Sequence, residues 1–443
     1  MDSAVHTAST FNMWLSGILL IIVYGFLIAE KINRAIVAIL GASLMIYFGL
    51  LNQHEALAKV DWNTLWLLIG MMILVSITAK TGVFQYVAIR SAKLVKADPI
   101  GILAMITVIT ALFSALLDNV TTVLLITPVT LLITEQLGIK AFPYLFSTIL
   151  ASNIGGTATL IGDPPNILIG SKTHLTFGDF VIHMTPIALI ILVVITAILV
   201  VLFGRSLKTT LKARAKIMRF DEKEAITDVV LLKKCGIVFG LVILGFFVGH
   251  SLHLEPGTIA LSGAGLLMLL AFGHENAEHQ AEKIHHVFGE VEWVTIFFFM
   301  GLFIIVGAVE HSGLLNVLGA KLMEITNGDM VKMALVVLWV SAILSSFLDN
   351  IPFVATMIPL LHTAQSQMPA GTDFNPVWWA LALGACLGGN GTLIGASANL
   401  TVAGFAEKAK QPISMIQFTK YAFPLMLVMI VLSHWYLNWR YFS

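Results

Sequence analysis

Asp163 stands in a long apolar stretch, where a charge is costly. Around it, residues 151–170 carry Asn153, Gly155, Gly156, Thr157, Thr159, Gly162, Pro164, Pro165 and Asn166. Gly and adjacent Pro break a helix, because Gly adds backbone entropy and Pro lacks a donor and clashes with the preceding turn. Inside a bilayer such a break frees amides and carbonyls that hydrocarbon cannot satisfy. It is tolerated only where it is buried in protein or lines a polar cavity. An ionisable side chain at that depth marks a functional site. Because desolvation disfavours its charge, an unpaired carboxyl group there can hold a proton or a metal cation, never both. That is the chemistry of cation/proton exchange.

The pattern returns later in the chain. Gly388–Gly395 restates Gly155–Gly162, and Asn399 stands where Asn166 does. Opposite Asn153, Thr157, Thr159 and Asp163 the second copy has Cys386, Asn390, Thr392 and Ala396, so only the first copy holds a carboxylate. Two further pairs, Asp118-Asn119 and Asp349-Asn350, join apolar runs at matched places. Unwound carbonyls with Asn and Thr oxygens suit a hard cation such as sodium, while half-helix N-termini suit an anionic group. The candidate ion-binding residues are therefore Asp118, Asn119, Thr122, Asn153, Thr157, Thr159, Asp163, Asn166, Asp349, Asn350, Asn390, Thr392 and Asn399. Sodium is assigned to Asp118, Asn153, Asp163 and Asp349. Two blander roles coexist with this one: Asp at a helix start caps free amides, and Gly or Ala lets helices pack closely.

The elements that must position these residues are membrane helices. Of 443 residues 58% are hydrophobic and 11% charged, and apolar runs near the length of a bilayer span recur from Trp14 onward. The expected fold is all-α and polytopic, with two inverted repeats. Each repeat has about five spans, one re-entrant hairpin and one broken helix. The first repeat occupies 1–204, with its hairpin at 100–134 and its broken helix at 142–170. A cytoplasmic linker follows at 205–234. The second repeat occupies 235–443, with a hairpin at 331–363 and a broken helix at 376–405. The hairpins read as re-entrant because Val120–Thr134 and Ile351–Thr363 are short for crossings. Duplication rests on three blocks in register: Gly70 recurs as Gly301 and Ser114–Asp118 as Ser345–Asp349, both 231 positions later, and Gly155–Gly162 as Gly388–Gly395, 233 positions later. An odd number of spans per repeat inverts the second against the first.

Charge sets the orientation. With the N-terminus outside, 20 of the 25 Lys and Arg fall on the cytoplasmic side, leaving Lys59, Lys172, Lys321, Lys332 and Arg440 outside. This matches the positive-inside rule and places both termini outside a cell inner (plasma) membrane. It also puts every Lys and Arg in a loop or near a span end. His274, His279, His285 and His286 read as part of a solvated loop, and Glu310 as a snorkelling span end. The polar Met1–Asn12 lacks a basic n-region, so no cleavable signal is expected. Cys235 and Cys386 form no CxxC or Cys/His cluster. No nucleophile–base pair, phosphate loop or nucleic-acid signal is present, so an enzyme is not expected. No cofactor is expected beyond sodium and protons as transported or coupling ions. The expected partners are small inorganic ions and the lipid bilayer.

On the motifs Leu117–Thr122, Asn153–Asn166, Leu348–Pro352 and Gly388–Gly395, the chain resembles the ArsB/NhaD permeases of the ion transporter superfamily. Within them it is most similar to NhaD-type sodium/proton antiporters and the melanosomal P protein. That resemblance implies a sodium (or lithium)/proton antiporter, with arsenite, antimonite or other anion transport as the alternative. It further implies a homodimer and an elevator-like movement, with amphipathic arms at 84–96 and 314–327. The chain departs from the related dicarboxylate carriers, which repeat Ser-Asn-Thr at both breaks. Here Ser152-Asn153-Ile154 and Ala385-Cys386-Leu387 stand instead.

Overall fold

In a computed structural model, residues 10–369 and 371–442 are described. The segment before Thr10, on which the expectation of an uncleaved start partly rests, lies outside them. Among the described residues the regular structure is entirely helical. The first half opens with α1 (Thr10–Ala29), α2 (Arg34–Tyr47), the short α3 (Gln53–Ala58) and α4 (Trp62–Ala79). An amphipathic helix, α5 (Val83–Leu94), leads into a hairpin of α6 (Pro99–Leu116) and α7 (Asn119–Leu137). Next comes a broken helix, α8 (Phe142–Thr157) and α9 (Pro164–Lys172), and then α10 (Phe177–His183) and α11 (Thr185–Phe203). The connector contains α12 (Leu211–Met218).

The second half begins with α13 (Val229–Val248), α14 (Pro256–Phe272), α15 (Ala277–Gly289) and α16 (Trp293–His311). It continues with α17 (Leu314–Thr326), the hairpin α18 (Met330–Ser345) and α19 (Asn350–Ser366), and the broken pair α20 (Asn375–Gly388) and α21 (Ser397–Lys408). The long α22 (Met415–Leu437) ends it. Among the described residues, eight helices are long and apolar enough to cross a membrane. The protein is a multi-pass membrane protein.

Local chemistry explains the breaks and corners. Pro164 and Pro165 fall in the first turn of α9, the one helical place where a missing amide costs nothing. Gly155 is needed for packing. A methyl group there would enter the carbonyl oxygen of Ala111 on α6, and one at the matched Gly388 would lie 2.6 Å from the Ala342 oxygen on α18. Thus α8 lies directly against α6, and α20 against α18. Outside this centre the halves exchange partners, for α14 packs on α4 and α2 packs on α16. The halves also cross at the breaks, where α9 packs on α19, α21 on α7, and α8 on α20.

Several boundaries differ from expectation. The arm α7 runs beyond Thr134 to Leu137, where Gly138 closes it in the left-handed region (φ +65). At 18 and 19 residues, α6 and α7 are each long enough to cross by length and composition. The span expected at 180–204 is divided at Met184, because Pro186 starts a new helix. Asp228 caps α13 by accepting from the amides of Val230 and Leu231, so that helix starts within the expected linker. The histidine-rich stretch is not a loop but largely α15, capped by Asn276.

The connector is tied down rather than free. Glu222 accepts from Arg90 (3.0 Å) and from Lys93 on α5, and the Thr227 amide donates to the Thr81 oxygen (3.1 Å). The hydrogen bond from Lys93 is the main reason that the Glu222 carboxyl is held down to about 2. A depressed carboxyl contributes stability above its unfolded value of 4.5 and loses it as pH falls toward about 2. Limited proteolysis of the 205–228 segment should therefore accelerate in that window. Glu222→Gln should show severalfold faster cleavage already at neutral pH. Separately, Gly155→Ala should cost about 1–3 kcal/mol by overpacking, read as a lower melting temperature in detergent. Gly265→Ala, where nothing lies within 4 Å, should be nearly neutral.

Candidate ion-binding site

The site forms where the two hairpin tips meet the two breaks. The chain enters α9 through Asp163, which is fully buried (0% exposed) and makes no capping bond with its side chain. Its carboxylate is free to face the neighbouring elements. Asn119, first residue of α7, donates from Nδ2 to Asp163 Oδ1 (3.2 Å) and to Asn153 Oδ1 (3.1 Å). Asn350, first residue of α19, donates from Nδ2 to both Asp163 oxygens (3.3 and 3.4 Å). Asn153 on α8 passes the connection to the other half, donating to Asn390 Oδ1 (3.0 Å) and Asn399 Oδ1 (3.1 Å). One chain of side-chain amides thus links Asp163 to both repeats.

Asn166 and Asn399 satisfy the breaks themselves. From Nδ2, Asn166 donates to the carbonyls of Gly156 (3.2 Å), Thr157 (3.3 Å) and Thr159 (2.9 Å). Asn399 donates to those of Gly389 (2.8 Å) and Thr392 (3.0 Å). The hydroxyls tie the breaks to the hairpins. Thr159 donates to the Ala115 oxygen (2.6 Å) and Thr392 to the Ser346 oxygen, while Thr157 bonds back to the Asn153 carbonyl (2.7 Å). The Cys386 thiol donates to Asn166 Oδ1 (3.4 Å), so this residue, opposite Asn153 in the repeat, is a member of the network.

The other two carboxylates assigned to sodium stand at the hairpin tips, next in the chain to Asn119 and Asn350. Asp118 caps α7, accepting from the Thr121 amide (2.8 Å) and hydroxyl. Asp349 caps α19 through the Ile351 amide (3.1 Å) and also accepts from Ser397 Oγ (2.8 Å). Neither makes a hydrogen bond to Asp163 among the described residues. By contrast, Asn153 and Asp163 share the donor Asn119. Two buried oxygens in the first turns of α7, Asn119 Oδ1 and Thr122 Oγ1, have no hydrogen-bond partner among the described residues. Hard cations take oxygen ligands, and Asn119 is the residue that also bonds Asp163.

Arg34 is the residue that reading the sequence missed. It begins α2, so by position it is an ordinary span-end cation, yet its guanidinium donates to Ser397 Oγ and lies 3.8 Å from Asp349 Oδ2. It borders a cavity of about 370 Å³ lined also by Tyr24, Glu30, Glu292, Asp349 and Thr401. No sequence signal marks it, because its reach depends on the packing of α2 against α16. In the adjoining loop, burial and then the negative charge of Asp349 push the Glu30 carboxyl above its ordinary value, against the pull of Arg34. Glu310, expected merely to snorkel, pairs with Lys59 (2.8 Å).

Helical hairpins meeting two broken helices in a multi-pass chain, around the buried carboxylate of Asp163, define a membrane transporter. The chain belongs to the citrate transporter (CitMHS) family, which matches residues 24–384. It is 43% identical over 423 residues to an uncharacterized transporter of Mycobacterium bovis, covering 95% of this chain and 96% of that one. To the human P protein it is 35% identical over 496 residues, covering 94% of this chain and 58% of that longer protein. Its fold is similar to the crystal structure of the YdaH transporter of Alcanivorax borkumensis, described as having an unusual topology. The TM-score is 0.59 at 13% identity, over 97% of this chain and 99% of that one.

The amide network has a testable energetic consequence. An unsatisfied buried polar group costs about 1–3 kcal/mol, so Asn166→Ala, which strips three carbonyls, should be among the most destabilising changes in the chain. Asn390→Ala removes a donor to the Met429 sulfur (3.5 Å) and one acceptor of Asn153, whose amide keeps its bond to Asn399, and should cost less. Melting temperatures of the purified variants give the order.

Proposed function

We propose that this protein is a secondary active transporter that exchanges sodium or lithium for protons, the two competing for buried carboxylates. The observation that carries the reading is the setting of Asp163. Its donors include the neutral amides of Asn119 and Asn350, and none of the ion pairs among the described residues involves it. Neutral donors orient a buried carboxylate without cancelling its charge, and an isolated buried charge is costly. A proton or an alkali cation removes that cost, one at a time. Asn119 Oδ1 and Thr122 Oγ1 would supply further oxygens, and Asp118 and Asp349 would add negative potential from the hairpin tips.

Transport itself follows from family membership; the ion does not. A second reading is favoured by the family description and by Arg34 on the cavity wall: an anion carrier for a carboxylate such as citrate, or for arsenite or antimonite. A co-bound sodium at Asp163 would then supply the missing positive charge. In either reading the chain would sit in the plasma (inner) membrane with both termini outside and the 205–234 connector in the cytoplasm. It would work as a homodimer by an elevator-like movement, with α5 and α17 as arms, using small inorganic ions and the lipid bilayer and no organic cofactor.

Everted membrane vesicles with an imposed proton gradient test the exchange. Adding sodium or lithium should dissipate the gradient, and Asp163→Asn should reduce the response to the background of vesicles without the protein. Silence toward every alkali cation from neutral to alkaline pH, together with uptake of radiolabelled citrate or arsenite into proteoliposomes, would sink the antiport reading in favour of the anion carrier.

A further inference from the structure

The two hairpin tips carry the same Asp-Asn pair but satisfy it differently. Asp118 is bonded by the amide and hydroxyl of Thr121. At the position matching Thr121 the second hairpin has Pro352, which has neither an N–H nor a hydroxyl. With that local partner missing, Asp349 Oδ2 turns to Ser397 Oγ (2.8 Å) and to the guanidinium of Arg34 (3.8 Å).

Arg34 is held from the opposite side as well. Its Nη2 donates to Thr295 Oγ1 (2.7 Å) and lies 3.7 Å from Glu292 Oε2, both at the start of α16. Its guanidinium carbon stands 5.5 Å above the Phe298 ring. A single guanidinium therefore bridges two packed groups. One is α2 with α16; the other is the second hairpin tip with α21, which packs on α7 and α8, the carriers of Asn119 and Asn153. The cavity lies between them.

We infer that Arg34 is a tethered cation that competes with the transported cation for Asp349, tying the two groups together when neither a cation nor a proton neutralises that carboxylate. The inference rests on the exchange reading and adds to it a positioning residue for coupling. A fixed guanidinium and an alkali ion on one carboxylate oxygen repel each other, so the arrival of one releases the other. Empty carrier is then held by Arg34–Ser397–Asp349, and loaded carrier is free to rearrange. An exchanger needs that difference, because a carrier that moves while empty leaks.

The test uses the full-length protein in detergent, melted across a sodium chloride series with choline chloride holding ionic strength constant. Removing the competitor in Arg34→Gln should lower the sodium concentration for half-maximal stabilisation by about fivefold, the size a partly exposed ion pair supports. Arg34→Lys should stay within about twofold of the parent, since the charge remains. An unchanged half-point in Arg34→Gln overturns the competition. In choline alone, the melting shifts of Arg34→Gln and Asp349→Asn should be non-additive in the double variant; additive shifts overturn the bridge. If the parent protein ignores every alkali cation, the exchange reading and the competition fall together, and the choline cycle still decides whether the ion pair exists.

Discussion

Backbone left unpaired inside a membrane protein has to be satisfied by the protein itself. Both broken helices of this chain meet that constraint in the same way. An asparagine placed just after the break turns its amide back onto carbonyls at its edge and within it, Asn166 onto three and Asn399 onto two. The remaining arrangement follows from this. Short side chains on the hairpins reach the same region: Ser114 donates to the Ser152 oxygen (2.6 Å) and Ser345 to the Ala385 oxygen (2.7 Å). Such contacts need small residues where α8 meets α6 and where α20 meets α18, and Gly155 and Gly388 provide them. The site is assembled from groups whose first duty is to keep irregular backbone bonded.

Function comes from departures from that shared plan. Only the first break holds a carboxylate, Asp163, where the second has Ala396. Only the second hairpin tip is bridged by Arg34 among the described residues, because Pro352 cannot act as Thr121 does. The duplicated frame brings two hairpin tips and two breaks to one centre, and the residues they carry there are unequal. The hydrogen bonds of the amide chain are direct contacts between the two halves. Asn119 touches both Asp163 and Asn153, and Asn153 touches Asn390 and Asn399.

The breaks, the hairpins, the repeat and the membrane class were legible in the sequence, because each rests on local chemistry. Gly and Pro break helices wherever they stand, an apolar run spans hydrocarbon by its length, and matching blocks keep their spacing. Asp163 was singled out for the same reason, as an ionisable residue next to Pro164 and Pro165. Boundaries were read less well. Helix α7 continues through Glu135 and Gln136 to a glycine cap, and α13 starts early because Asp228 caps it, details that hydropathy does not record. Tertiary structure alone decided which polar residues share a bond. It joined Asn119 and Asn350 to Asp163 and Asn119 to Asn153, and brought Arg34 from the head of α2 to Ser397. These pairings join residues from about 34 to more than 360 positions apart, and only the crossed packing of the two halves brings them within hydrogen-bond reach.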